Sequence, residues 1–139
     1  MTGTLAPTGA VTRPERLTSS FVLRLDAAVS GVTGLAMLAL ANPLGDLLDL
    51  PVELLRGAGA ILLVLIAALF WLAGRSTISR TALYAVAGIN LVWAIDSVVL
   101  LVTGWVEPSA LGVAFVLLQA GVVLLFAELQ VMAARRLDR

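Results

Sequence analysis

The sequence contains no lysine, no histidine and no cysteine. Without lysine there is no amine to form a Schiff base with retinal or with a carbonyl substrate. Without histidine there is no imidazole to hold haem or zinc and none to act as a base. Without cysteine there is no disulfide exchange, no thiolate nucleophile and no iron–sulfur cluster, and the redox compartment leaves no mark on the chain. Charge is scarce as well, at 13% of residues against about 25% in a soluble domain. Nine arginines balance nine acids, so net charge argues for no nucleic-acid partner. Serine hydrolysis would lack its base. The only glycine-rich stretch, Gly57–Gly59, begins an apolar run and is no phosphate loop, and aspartate-rich prenyltransferase signatures are absent. Asp46, Asp49 and Glu53 read as a solvated face before they read as a hard-cation site. The expectation is a protein that is not an enzyme and that carries no cofactor and no metal.

What the chain has instead is apolar length. It is 60% hydrophobic, with a mean hydropathy of +1.05. Four apolar stretches lie at about 21–41, 52–73, 81–103 and 108–133, and about 20 apolar residues cross a hydrocarbon core. Backbone groups in lipid must pair within their own segment, so each stretch is expected to be a helix. The fold class is therefore all-α: a polytopic four-transmembrane-helix bundle over 18–135, preceded by a flexible cytoplasmic tail over 1–17. Pro43, Pro51 and Pro108 stand where first-turn prolines belong. Gly74 and Gly104 follow spans as C-terminal caps, and Trp71 and Trp105 sit near span ends, where indole prefers the interface. Pro43–Leu50 reads as one or two interfacial turns capped by Asn42. Spans one and two share their layout with spans three and four, which suggests two parallel helix-hairpin repeats. Ala39–Ala41 also resembles a signal-peptidase site, the alternative to an intact first span.

Arginines crowd onto alternate connections. Arg13, Arg16, Arg24, Arg75, Arg80, Arg135, Arg136 and Arg139 fall on one side and only Arg56 on the other. By the positive-inside rule both termini are expected in the cytoplasm.

The polar residues within the spans are the candidate sites. Asp96 lies about 10 Å inside the third span at the helical rise, and an intramembrane carboxylate is by default a functional hypothesis. A structural pairing with Arg56 and a protonatable or cation-binding role both remain open for it. Asn90, Trp93 and Ser97 share a face of the third span. Asn90 and Gln119 both fall near the midplane and are expected to bond each other, as interhelical glue or as the lining of a ligand cavity. Arg24, Asp26, Arg80 and Glu128 are expected to form ion pairs near the cytoplasmic ends. The small-residue pairs Ala27/Gly31, Ser30/Gly34, Gly57/Gly59 and Gly112/Ala114 mark close-packing seams.

The runs "LRLDAAVSGVTGLAMLAL", "PLGDLLDLP", "LLRGAG" and "NLVWAIDSVVLL" resemble a group of small four-span integral membrane proteins of high-GC bacteria to which no activity is assigned. Helix count and size alone are also similar to those of DoxX-like proteins. The resemblance covers most of 20–135 and implies the four-helix architecture and an address in the bacterial inner membrane. Two function classes follow. One is a non-enzymatic accessory, structural or interaction module, partnered by the bilayer and by itself or a larger membrane complex. The other is a small transporter or a lipid- or quinone-binding protein that uses the polar midplane face. A midplane cavity favours the second; a closed bundle with Asp96 paired to Arg56 favours the first.

Overall fold

The structure, a computed structural model, describes residues 13–137. Among them are five helices and no strand: α1 (Arg13–Ala39), α2 (Ala41–Leu48), α3 (Val52–Ala73), α4 (Arg80–Val102) and α5 (Ala110–Arg136). Thr18–Ala39 of α1 and the whole of α3, α4 and α5 are long and apolar enough to cross a membrane. At the helical rise, the 22 residues of α3 extend about 33 Å, the thickness of a hydrocarbon core. Between 28% and 39% of the residues in each span's most apolar window are buried. The outward remainder is apolar too, with Val32, Val64 and Leu118 more than two-thirds exposed. Helices apolar on all sides belong in lipid, and the chain is an all-α four-helix membrane bundle.

Most of the expected tail, residues 1–12, lies outside the described residues. Its last part is already helical, because α1 begins at Arg13. Pro14 falls in the first turn, where its missing N–H has no intrahelical acceptor.

The other boundaries follow local chemistry. Asn42 is not the cap of α2. That position is Leu40, which makes no side-chain cap bond, and the N–H of Leu40 already reaches the Ala36 carbonyl while its own carbonyl accepts from Leu44. The hydrogen-bond ladder thus runs on from α1 and leaves little for a cap to satisfy. Asp49 ends α2 in the left-handed conformation, φ 53°, which a short polar side chain tolerates. Pro51 is the N-cap of α3. Ser79 caps α4 by accepting from the Ala82 N–H at 3.0 Å. Ser109 caps α5 by accepting from Gly112 at 3.1 Å, so Pro108 stands outside the last helix and the fourth span starts two residues later than expected. Gly74 caps α3. Gly104, φ +75°, turns the chain after Thr103, a conformation a side chain would strain.

The spans pack as two hairpins, α1 on α3 and α4 on α5, and α1 joins them by packing on α5. No substantial packing links α3 to α4. The α1–α3 contact is close because two glycines meet: a Cβ on Gly59 would stand 2.8 Å from the Gly34 carbonyl oxygen. Gly57 has nothing within 4 Å and is not part of a seam. The Ser20 hydroxyl donates to the Ala73 carbonyl at 3.1 Å, tying the start of α1 to the end of α3. At the opposite, acid-rich end α2 lies against α1, α3 and α5. There the Ser109 N–H donates to the Leu48 carbonyl at 3.0 Å and its hydroxyl to the Leu47 carbonyl at 3.0 Å. A Cβ on Gly112 would collide with that same Leu48 oxygen.

Candidate functional site

The interior holds two separate polar networks. The first centres on Asp26 of α1, which is fully buried. Ser30, one turn on, donates to Oδ1 at 3.0 Å. Oδ2 accepts from Asn90 Nδ2 of α4 at 2.9 Å and from Gln130 Nε2 of α5 at 2.6 Å. Asn90 Nδ2 also donates to Gln130 Oε1 at 3.0 Å. Three neutral donors from three helices thus surround one carboxylate, and the Asn90 bond joins α1 to α4.

Asp26 is therefore no interfacial ion pair. Arg24 is two positions away, which on a helix points it to another face, and it is exposed. Glu128 is also exposed. Neither makes an ion pair among the described residues. Arg80 opens α4, ten residues or about 15 Å along the axis from Asn90, too far to reach the carboxylate.

The second network lies nearer the acid-rich end. Trp93 Nε1 donates to Gln119 Oε1 at 2.9 Å, Gln119 Nε2 donates to Ser97 Oγ at 2.9 Å, and Ser97 Oγ donates to the Trp93 carbonyl at 2.8 Å. Asn90 and Gln119 therefore do not meet, and register explains why. Counted from the arginine-rich ends of α4 and α5, Asn90 stands about 15 Å up and Gln119 about 25 Å up, whereas Ser97 is also at about 25 Å. Gln130, at about 9 Å, is the amide that Asn90 finds. Gln130 was legible as a polar residue in an apolar helix, but its closeness to the span end hid it.

Arg56 and Asp96 form no ion pair among the described residues, and both are exposed to the surroundings of the bundle. Their helices, α3 and α4, are the adjacent pair that does not pack. Arg56 also points away from the α3 face formed by Glu53, Gly57 and Ile61, since successive residues turn by 100°.

Where α3 and α4 stand apart there is a lateral cleft of about 610 Å³. Its α3 wall is Glu53, Leu54, Gly57, Ala58 and Ile61, its α4 wall is Trp93, Asp96, Ser97, Val99 and Leu100, and Phe115, Val116 and Gln119 of α5 form its floor. Met37 of α1, Leu50, Leu55 of α3 and Trp105 of the last connection also line it. A smaller cavity of about 240 Å³ opens between α1 and α5 beside Ser30, Thr33 and Gln119. The volume of the cleft falls within the range of small-molecule sites, which are apolar with a few placed polar groups. Asp96, Trp93, Ser97 and Gln119 come together here; Arg56 and Asn90 do not join them. Among the described residues no group of three or more acids stands close enough to hold a metal ion.

At the opposite end the Arg75 guanidinium stacks on the Trp71 ring, 4.7 Å from its centroid. An indole anchored by a cation is an interface marker.

Fold and site together define the class: a multi-pass, four-helix membrane protein with two interior polar networks and a side opening between its second and third spans. No protein-family model, curated protein or solved structure matches the chain.

Proposed function

We propose that the protein is a non-enzymatic, multi-pass protein of the bacterial inner membrane that takes a lipid-like amphiphile into the cleft between α3 and α4. The observation that carries this reading is the cleft itself, a space of about 610 Å³ with apolar walls, with Asp96 on one side and the Trp93–Gln119–Ser97 network at its base. An accessory or structural module would gain from closing that side, and Asp96 would then need a cation. The separation of α3 from α4 and the absence of an Arg56–Asp96 pair among the described residues weigh toward binding. The arginine-bearing ends of the helices favour cytoplasmic termini by the positive-inside rule, and in that orientation the cleft opens in the outer half of the bilayer.

Native mass spectrometry of protein released from its own membrane tests the reading. The wild type is expected to retain an adduct of lipid mass. Ala58→Phe, which fills the α3 wall, is expected to lose it while melting like the wild type. An adduct retained equally by both proteins, or no adduct in either, would overturn the reading.

A further inference from the structure

We infer that the amphiphile bound in the cleft carries a cationic headgroup, an ammonium or a quaternary ammonium; this deepens the proposed binding role and rests on it. The two charged residues of the cleft are both acids, Glu53 at its mouth and Asp96 farther in. Neither has an ion partner among the described residues. Acids alone would not make a site; here they stand at one end of an apolar cavity that can take a chain.

Depth separates their roles. Glu53 is the second residue of α3, at the level of the interface. Asp96 is six residues from the end of α4, about 9 Å inside it. A carboxylate at that depth is costly unless balanced. A neutral amphiphile would leave it unbalanced, and an anionic one would add a like charge in a medium where Coulomb terms are strong. A cation at the Asp96 level, its tail running along Ala58 and Ile61, removes the imbalance.

The aromatic groups point the same way. Trp105 lines the mouth and Trp93 lines the cleft, and indole faces attract ammonium groups, quaternary ones included. A neighbouring surface depression at the same end is lined by Asp49, Trp105 and Glu107, so the approach is acidic as well. Arg56, the single basic residue at this end among the described residues, lines neither space.

The test uses the full chain in dodecyl maltoside micelles, whose headgroup is uncharged. With Trp71→Phe, tryptophan emission comes from Trp93 and Trp105 alone, both in the cleft. Three brominated quenchers of equal chain length are titrated: bromododecyl-trimethylammonium, bromododecanol and bromododecyl sulfate. The cationic probe is expected to quench at about tenfold lower concentration than the neutral one, the size of one partly screened charge contact, and the anionic probe is expected to be weakest. Asp96→Asn should remove the preference for the cation, read as the ratio of the quenching midpoints of the cationic and neutral probes measured on the same variant. Glu53→Gln, at the mouth, should reduce it by a smaller factor. Both changes are near-isosteric at exposed positions, and a thermal melt confirms that each variant is folded. Equal quenching by the cationic and neutral probes, if relieved by Ala58→Phe, would overturn the headgroup inference and leave the cleft as an amphiphile site. Quenching that Ala58→Phe does not relieve for any probe would overturn the cleft reading itself. Preference for the sulfate, or a cation preference that survives Asp96→Asn and Glu53→Gln together, would overturn the assignment of these carboxylates.

Discussion

Asp26 is a buried carboxylate with no ion pair among the described residues, and its position depends on three neutral side chains from three helices. A hydrogen bond to a charged group contributes about 1.5–3 kcal/mol. Asn90→Leu removes one such bond and also strands Gln130 Oε1, so a loss of about 2 kcal/mol or more is expected, read as a lower melting temperature in detergent. Residues within one network couple, and residues without shared partners add. In double-mutant cycles Asn90→Leu with Gln130→Leu should therefore couple by about 1 kcal/mol. Asn90→Leu with Gln119→Leu should add to within about 0.5 kcal/mol. Coupling of the second pair with additivity of the first would contradict the observed registers. The sequence marked Asn90, Trp93, Ser97 and Gln119 as polar groups within the spans, because apolar surroundings make such residues conspicuous, but it read Asp26 as an interfacial ion pair. It paired Asn90 with Gln119, which do not meet. Partner choice depends on axial offsets of about 10 Å between antiparallel helices, and those are set by where each helix starts. A cap misplaced by two residues, as at Pro108, already blurs that count.

At the scale of the element, glycine and serine at helix contacts decide the packing. Gly112 lies against the last carbonyl of α2, and Ser109 binds the two last carbonyls of that helix while capping its own. Gly112→Ala is expected to cost about 1–3 kcal/mol, the range of an overpacked contact. Gly59→Ala should fall in the same range, because Gly34 and Leu38 leave no room for a Cβ. Gly57→Ala should be neutral to within about 0.5 kcal/mol or slightly stabilising, since alanine is the better helix former and the position is open. Thermal melts of the three variants in one detergent check the order. An equal loss at Gly57 would mean that α3 presents a different face. The spans themselves were legible: the second matched to the residue, and the others shifted by one to three residues at their ends. Hydropathy and backbone pairing in lipid leave little freedom there. Small-residue spacing was less informative, because Gly57/Gly59 and Gly34/Gly59 are equally plausible on paper and only the crossing of α1 and α3 selects the second.

At the scale of the whole molecule the chain is two hairpins held together by α1 on α5, by the Asp26 network and by α2 across one end. What remains open is the side between α3 and α4. The proposed orientation has a direct check: reporter tags at residues 1 and 139 should both report cytoplasm, and one beside Asp46 should report the outside. A C-terminal tag on the outside would reverse the inferred exposure of the cleft. That the second and third spans would stand apart was not legible, because the stretch from Gly74 to Ser79 between them is short enough for either arrangement. The central claim is that this gap is a binding cleft, and photolabelling with a long-chain alkyl diazirine, mapped by peptide sequencing, tests it most directly. The account predicts labelling concentrated on Ala58, Ile61, Leu100 and Phe115, and its loss from these positions in Ala58→Phe. Labelling spread evenly over outward residues such as Val32, Val64 and Leu118, with no excess in the cleft, would contradict it.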